Sequence, residues 1–278
     1  MDLKQIKLIA IDVDGTLVDA ATNQITSSVV DAVKRARSAG IRIVICSGRA
    51  FTGIKPWLAK MDMLTGPEEY AVCYGGGLVM STHNRILLKK LITYDDYLDL
   101  EYLSRKLGLH FHASGLNNIY TANRNIGKWS VREASMVKTG LCYRTPEEMK
   151  GIDIFKGMFI DDPEILEPAI ADQTPFKKLS DRLTFVRTLD SYYEGLPKGV
   201  DKSLGLQKLS EVLQIKPAEM MAIGDEINDL PMMKYAACGV AMGNARQSVK
   251  DQADLVTSSV QEDGVAKVID QVLAAQGQ

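Results

Sequence analysis

Short apolar runs alternate with amphipathic stretches along the first third of the chain. Lys7 to Val13 (KLIAIDV) is almost continuously apolar, which predicts a strand buried on both faces. Thr26 can cap a helix whose Val29, Val33 and Ala36 share one face, with Gly40 ending it. Ile41 to Cys46 and Ala71 to Tyr74 predict two more strands. Strand–helix–strand units of this length imply a parallel sheet. The last third returns to the same rhythm. A helix is predicted from Ser203 to Leu213, a strand from Met220 to Ile223 ending in Gly224-Asp225, a short strand from Gly239 to Met242, and a closing helix from Gly264 to Ala274.

The middle differs. Helices are predicted near 95–107, 127–137 and 164–173, with strands near 109–113, 119–121, 155–160 and 183–187. A mixed block between two halves of a parallel sheet reads as an inserted domain.

Composition narrows the function classes. The 278 residues suit one large domain or two modest ones. The 33 basic and 35 acidic residues leave a net charge of −2, so there is no electrostatic case for a nucleic-acid partner. No apolar run approaches the roughly 18 residues of a membrane helix. The N-terminus opens straight into a strand-like run and does not read as a secretory leader. Cys46, Cys73, Cys142 and Cys238 lie far apart with no C-x-x-C pair, which fits a reducing cytoplasm better than a disulfide scaffold or zinc ribbon.

The chemistry gathers at strand ends. Asp12 and Asp14 close the first strand, and their i, i+2 spacing puts both carboxylates on one face of an extended chain. Gly15 permits a tight turn and Thr16 adds a hydroxyl. Two carboxylates together call for a cation, and Mg²⁺ is the hard, oxygen-seeking candidate. Ser47-Gly48-Arg49 follows the second strand, and Gly224-Asp225 a later one. Ligands in open α/β sheets bind beyond the carboxyl ends of strands, so these groups are expected on one sheet edge. Taken singly, Ser47, Asp225 and Asp229 could be helix caps. Lys202, just before a helix, is placed to meet an anion; it and Lys198 could equally be solvated surface lysines.

I-D-V-D-G-T-L at 11–17, C-S-G-R at 46–49, K-G-V-D-K at 198–202 and G-D-E-I-N-D at 224–229 resemble the four motifs of the haloacid dehalogenase superfamily, in the order of its Cof-type, sugar-phosphatase-like subfamily IIB. The resemblance implies a Rossmann-like doubly wound parallel sheet core, residues 1–82 and 191–278, with an inserted α+β cap at 83–190 that sets substrate specificity. It implies a phosphatase acting on a small phosphorylated metabolite with Mg²⁺. Asp12 would be the nucleophile that carries the phosphoryl group, and Asp14 the general acid and then base. Thr16, Ser47, the Gly48 amide, Arg49 and Asn228 would bind substrate. Lys202 would balance charge on nucleophile and phosphate. Asp12, Asp225 and the Asp14 carbonyl would hold the metal, with Asp229 in support. Gly75 to Gly77 and the region near Asp190 would be hinges.

Two positions depart from the family pattern. Glu226 stands where the loop usually has Asn, adding negative charge beside the metal, so Glu226→Asn is expected to raise the Mg²⁺ requirement. Gly75-Gly76-Gly77 replaces the usual N-G-A. Rival functions are a phosphomutase of the same superfamily, which would need a bisphosphate activator, and a non-catalytic phosphometabolite-binding protein. A signalling receiver domain is excluded by the position of its phosphorylated Asp and its lack of a cap. His110 and His112 flank Phe111, which predicts an exposed cap-sheet face in preference to a metal pair. Cys46, Cys73 and Cys238 read as buried small hydrophobes. Trp57 and Trp129 read as packing residues, with Trp129 also a candidate pocket wall.

Overall fold

In the computed structural model, residues 2–66 and 68–278 are described. The chain forms two compact units. One comprises the chain up to Arg49, Ile54–Leu88 and Asp201–Gln278; the other comprises Ala50–Gly53 and Lys89–Val200.

The first unit is built on an eight-stranded sheet. Its central strand, Leu8–Ile11, runs parallel between Met220–Gly224 and Arg42–Cys46, with Ile11 level with Ile223 and Ile45. Cys238–Ala241 and Leu255–Val256 continue the parallel pairing on one side, and Tyr70–Cys73 on the other. Leu78–Ser81 is antiparallel to Tyr70–Cys73, and Ile86–Lys89 completes the edge. All four residues of Leu8–Ile11 are buried, as expected of a strand covered on both faces. Leu8, Ile9 and Ile11 each contribute about 1.5–3 kcal/mol by burial. The helix Ser27–Ser38 starts where Thr26 Oγ1 accepts the Val29 amide at 3.3 Å, a cap worth about 1 kcal/mol. It buries Val29, Ala32, Val33 and Ala36. The helix Lys202–Leu213 starts one residue earlier than expected, because Asp201 caps it by accepting the Ser203 and Leu204 amides. That places Lys202 in its first turn, buried.

The second unit has a six-stranded sheet in the order Leu183–Leu189, Tyr192–Pro197, Ile154–Ile160, Phe111–Gly115, Asn118–Thr121, Gly140–Tyr143. All neighbours are antiparallel except the last pair. Tyr97, Leu100 and Leu103 of the helix Tyr94–Leu107 pack with Phe111, Phe159, Phe176 and Tyr193 into its core.

The units divide at different places from the expected 83–190 insertion. Ile86–Lys89 extends the first sheet, so 83–88 stays with that unit. Tyr192–Pro197 forms a hairpin with Leu183–Leu189, so 191–200 belongs to the second. Its Glu, Gly and Pro disguise it as a loop in the sequence, yet Tyr192, Tyr193 and Glu194 are buried. The histidines also differ from expectation. His110 precedes its strand and bonds Asp161 through Nδ1 at 2.8 Å. His112 is fully buried, between Ser130 Oγ at 2.9 Å and Met158 Sδ at 3.0 Å, and burial pushes its pKa down to about 3. Cys46, Cys73 and Cys238 are buried, as expected. Among the described residues, no helix is long and apolar enough to cross a membrane.

Candidate active site

Three neighbouring parallel strands end together, and the next residues of each carry the polar groups. Asp12 follows Leu8–Ile11 and continues the ladder by donating its amide to the Ile223 carbonyl at 3.0 Å. Ser47 follows Arg42–Cys46, and Asp225 follows Met220–Gly224. Parallel pairing in register brings residues more than 200 positions apart to one edge.

The centre is an ion cluster. Lys202 Nζ lies 2.5 Å from Asp12 Oδ1 and also bonds Asp229 Oδ1. Lys202 is only 2% exposed, and Asp12 and Asp229 are buried too. Asp229 Oδ2 accepts the amides of Asp225 and Glu226 at 3.0 Å each, so one carboxylate fixes both the lysine and the loop. Gly224 allows this close approach, since a side chain there would run into Asp229. Burial alone would lower the Lys202 pKa. Asp12 and Asp229 outweigh it and hold the ammonium above its ordinary value, so it stays charged. Burial, and then Asp229, push Asp12 well above the usual carboxylate range, against the pull of Lys202.

Asp225 stands beside this pair. Its Oδ1 accepts the Thr16 hydroxyl at 2.7 Å. Burial is the main cause that pushes its pKa up to about 6, with Asp229 and Glu226 adding and Thr16 opposing. Gly15 sits at φ +88°, and a Cβ there would collide with the Asp225 carboxylate. Asp12, Asp225 and Asp229 bring carboxylate oxygens within 4.8 Å of one another, the one such grouping of possible metal ligands among the described residues. Three carboxylates share one ammonium here, and the surplus negative charge on hard oxygen donors fits a divalent cation such as Mg²⁺.

Asp14 is turned toward a different partner. Its side chain is 41% exposed, and both its oxygens are taken by Arg49, Nε on Oδ2 at 2.9 Å and Nη2 on Oδ1 at 2.5 Å. The Arg49 guanidinium lies 5.0 Å from the centre of the Trp57 ring. Ser47 is buried, and its Oγ accepts the Arg49 amide at 3.1 Å. Gly48 is half-buried and Asn228 exposed. Glu226 pairs with Arg246 at 3.0 Å. Lys198 lies outside the cluster and donates to the Ser180 carbonyl within the second unit.

Three participants had gone unrecognised in the sequence. Asn244 donates to the Gly15 carbonyl at 2.8 Å and accepts the Val260 amide at 2.8 Å, tying the Asp12–Thr16 turn to the far edge of the sheet. Its signal is the G-N pair just past the strand Cys238–Ala241. Trp57 supports Arg49, and Arg246 covers Glu226; neither carries a motif.

A sequence profile of the haloacid dehalogenase-like hydrolases matches residues 9–269. The chain is 37% identical to "Putative phosphatase YxeH" of Bacillus subtilis, covering 97% of this chain and 99% of that one. The chain is 40% identical to "Putative phosphatase M6_Spy0533" of Streptococcus pyogenes serotype M6, covering 95% of this chain and 97% of that one. The solved structure of a haloacid dehalogenase-like hydrolase from Bacteroides thetaiotaomicron superposes with a TM-score of 0.86 at 29% identity, covering 96% of this chain and 99% of that one.

Proposed function

The chain belongs to the haloacid dehalogenase-like hydrolases and is a phosphatase, and from that premise we propose that it hydrolyses small phosphate monoesters in two steps through a phosphoryl group carried on Asp12. The observation that carries this reading is the Lys202 ammonium held against a buried Asp12 carboxylate.

Lys202 occupies Asp12 Oδ1, which leaves the other oxygen to attack phosphorus. As the Asp12–phosphorus bond forms and the ester P–O bond breaks, the Asp14 proton passes to the leaving oxygen, giving the free alcohol. Water then attacks the phosphoryl group, Asp14 takes its proton, and Asp12 is regenerated with release of phosphate. Asp12, Asp225 and the Asp14 carbonyl would hold Mg²⁺. When bound, the ion offsets the charge of carboxylate and phosphoryl dianion as they approach. The Ser47 hydroxyl, the Gly48 amide and the exposed Asn228 would hold phosphoryl oxygens. Thr16 would share that task; its hydroxyl donates to Asp225 Oδ1 at 2.7 Å in the structure, which would also orient that ligand.

The second unit would recognise the rest of the molecule, a sugar phosphate or related metabolite, and free buried cysteines fit a cytoplasmic setting. The test is a screen of phosphate monoesters with Mg²⁺ and with EDTA. Hydrolysis that requires Mg²⁺ supports the reading. Turnover that appears only with an added sugar bisphosphate makes the enzyme a mutase, and no turnover of any ester contradicts the proposal.

A further inference from the structure

We infer that Arg49 is a positioning residue that holds the Asp14 carboxylate for proton transfer. The inference rests on the acid–base role of Asp14 proposed above.

A guanidinium binds a phosphate or carboxylate through two N–H groups on one edge. In Arg49 the edge formed by Nε and Nη2 is fully used by the two oxygens of Asp14. The remaining nitrogen, Nη1, is buried with no hydrogen-bond partner. The fork therefore commits one edge of the guanidinium to Asp14 and leaves the Nη1–Nη2 edge outside it.

The surroundings fix the fork in place. The guanidinium lies over the Trp57 ring and the Arg49 side chain is only 10% exposed. The backbone of Arg49 is held at both ends, its amide by Ser47 Oγ at 3.1 Å and its carbonyl by the Tyr74 amide at 3.1 Å. Ser47 is anchored in turn, its carbonyl accepting the Gly75 amide at 2.9 Å. A rigid arginine therefore grips a carboxylate that is itself 41% exposed. Exposure alone would leave Asp14 free to rotate, and a general acid must stay within hydrogen-bond reach of the oxygen it serves. The fork favours the ionised carboxylate, the form that must accept the proton of water in the second step; in the first step the proton occupies one oxygen while the other keeps its bond to the guanidinium.

The test compares the parent with Asp14→Asn, Arg49→Lys and the double variant. Two substrates are used: p-nitrophenyl phosphate, whose leaving group departs as a stable anion, and the sugar phosphate the parent hydrolyses best. Asp14→Asn should lower kcat on the sugar phosphate by about 10²–10⁴-fold, and far less on the aryl ester. Arg49→Lys keeps the charge but loses the fork. It should show the same leaving-group signature, with a kcat loss of about 10²-fold on the sugar phosphate and little change in KM. The double variant should be no slower than Asp14→Asn alone, because both act through one group.

Near-parent kcat for Arg49→Lys, an equal rise in KM on both substrates, or losses that multiply in the double variant would each overturn the inference. If Asp14→Asn slows both substrates equally, the acid–base reading itself fails, and the inference with it; that result is visible in the Asp14 variant alone. Should Arg49→Lys not fold, Trp57→Leu carries the test. It removes the ring under the guanidinium while keeping an apolar side chain at this buried position, and should give the same signature in weaker form; an unchanged ratio between the two substrates would count against the inference.

Discussion

Lys202 Nζ sits 2.5 Å from Asp12 Oδ1 and bonds Asp229 with another of its protons, so a single buried ammonium ties together the ends of two strands and the start of a helix. Lys202 therefore serves the fold as well as the chemistry. Replacing it by Met leaves two buried carboxylates facing each other without a cation, a loss that costs about 3–5 kcal/mol. We expect Lys202→Met to lower the melting temperature of the metal-free protein and to reduce kcat by about 10²–10³-fold. Urea unfolding and steady-state assays check the two effects. Unaltered stability would mean the pair is not formed in solution.

Gly15 has no room for a side chain. Gly15→Ala meets both an unfavourable φ of +88° and the Asp225 carboxylate. The backbone strain alone costs about 1–3 kcal/mol. Asp225 would be displaced, so the Mg²⁺ concentration for half-maximal activity should rise and the melting temperature should fall. A Mg²⁺ titration that matches the parent would show that Asp225 keeps its place.

Asp225 sets a pH dependence. Burial, with Asp229 and Glu226, raises its pKa to about 6, above the ordinary value of 3.8. A raised carboxylate binds a proton in the folded state that the unfolded chain has already lost. Its contribution is thus stabilising below about pH 4 and is lost as pH rises through about 6. In the metal-free protein, Asp225→Asn should remove this loss and melt higher than the parent at pH 7.5, with the gap closing toward pH 4. For the parent, Mg²⁺ binding should weaken below about pH 6, where the proton competes. Melting curves across that range, with and without Mg²⁺, check both. A gap that widens toward acid pH would contradict the assignment.

Much of this was legible in the sequence because it depends on order and spacing. D-x-D, S-G-R and G-D each follow an apolar run, and parallel pairing does the rest; Ile11, Ile45 and Ile223 lie in register and deliver Asp12, Ser47 and Asp225 to one edge. The pairings that set geometry were not legible. Arg49 follows a motif serine as a phosphate ligand would, and nothing in the chain says that its fork closes on Asp14, 35 positions earlier. The edge strands Gly140–Tyr143 and Ile86–Lys89 are only part-buried, so their patterns carry no period to read. Tyr192–Pro197 was hidden by Glu194, whose charge is satisfied by Lys156 at 3.0 Å inside the second unit.

Glu226 illustrates the same limit. From sequence alone it adds charge beside the metal, and Glu226→Asn is expected to raise the Mg²⁺ requirement. The structure pairs it with Arg246, both side chains being well exposed, which compensates much of that charge. The expected rise is therefore about threefold or less, below the 10–100-fold of groups that hydrogen-bond a ligand directly. A Mg²⁺ titration of Glu226→Asn beside the parent decides it, and a shift of tenfold or more would mean that the Arg246 pair does not shield the site.

The central claim is that Asp12 carries the phosphoryl group. The direct measurement is rapid acid quench of the enzyme during turnover of its best substrate with Mg²⁺, followed by peptide mass spectrometry. The account predicts one phosphoryl group on the peptide containing Asp12, formed within the first turnover and absent from Asp12→Asn, which should not turn over. Unmodified Asp12 throughout turnover, together with near-normal rates for purified Asp12→Asn, would contradict it.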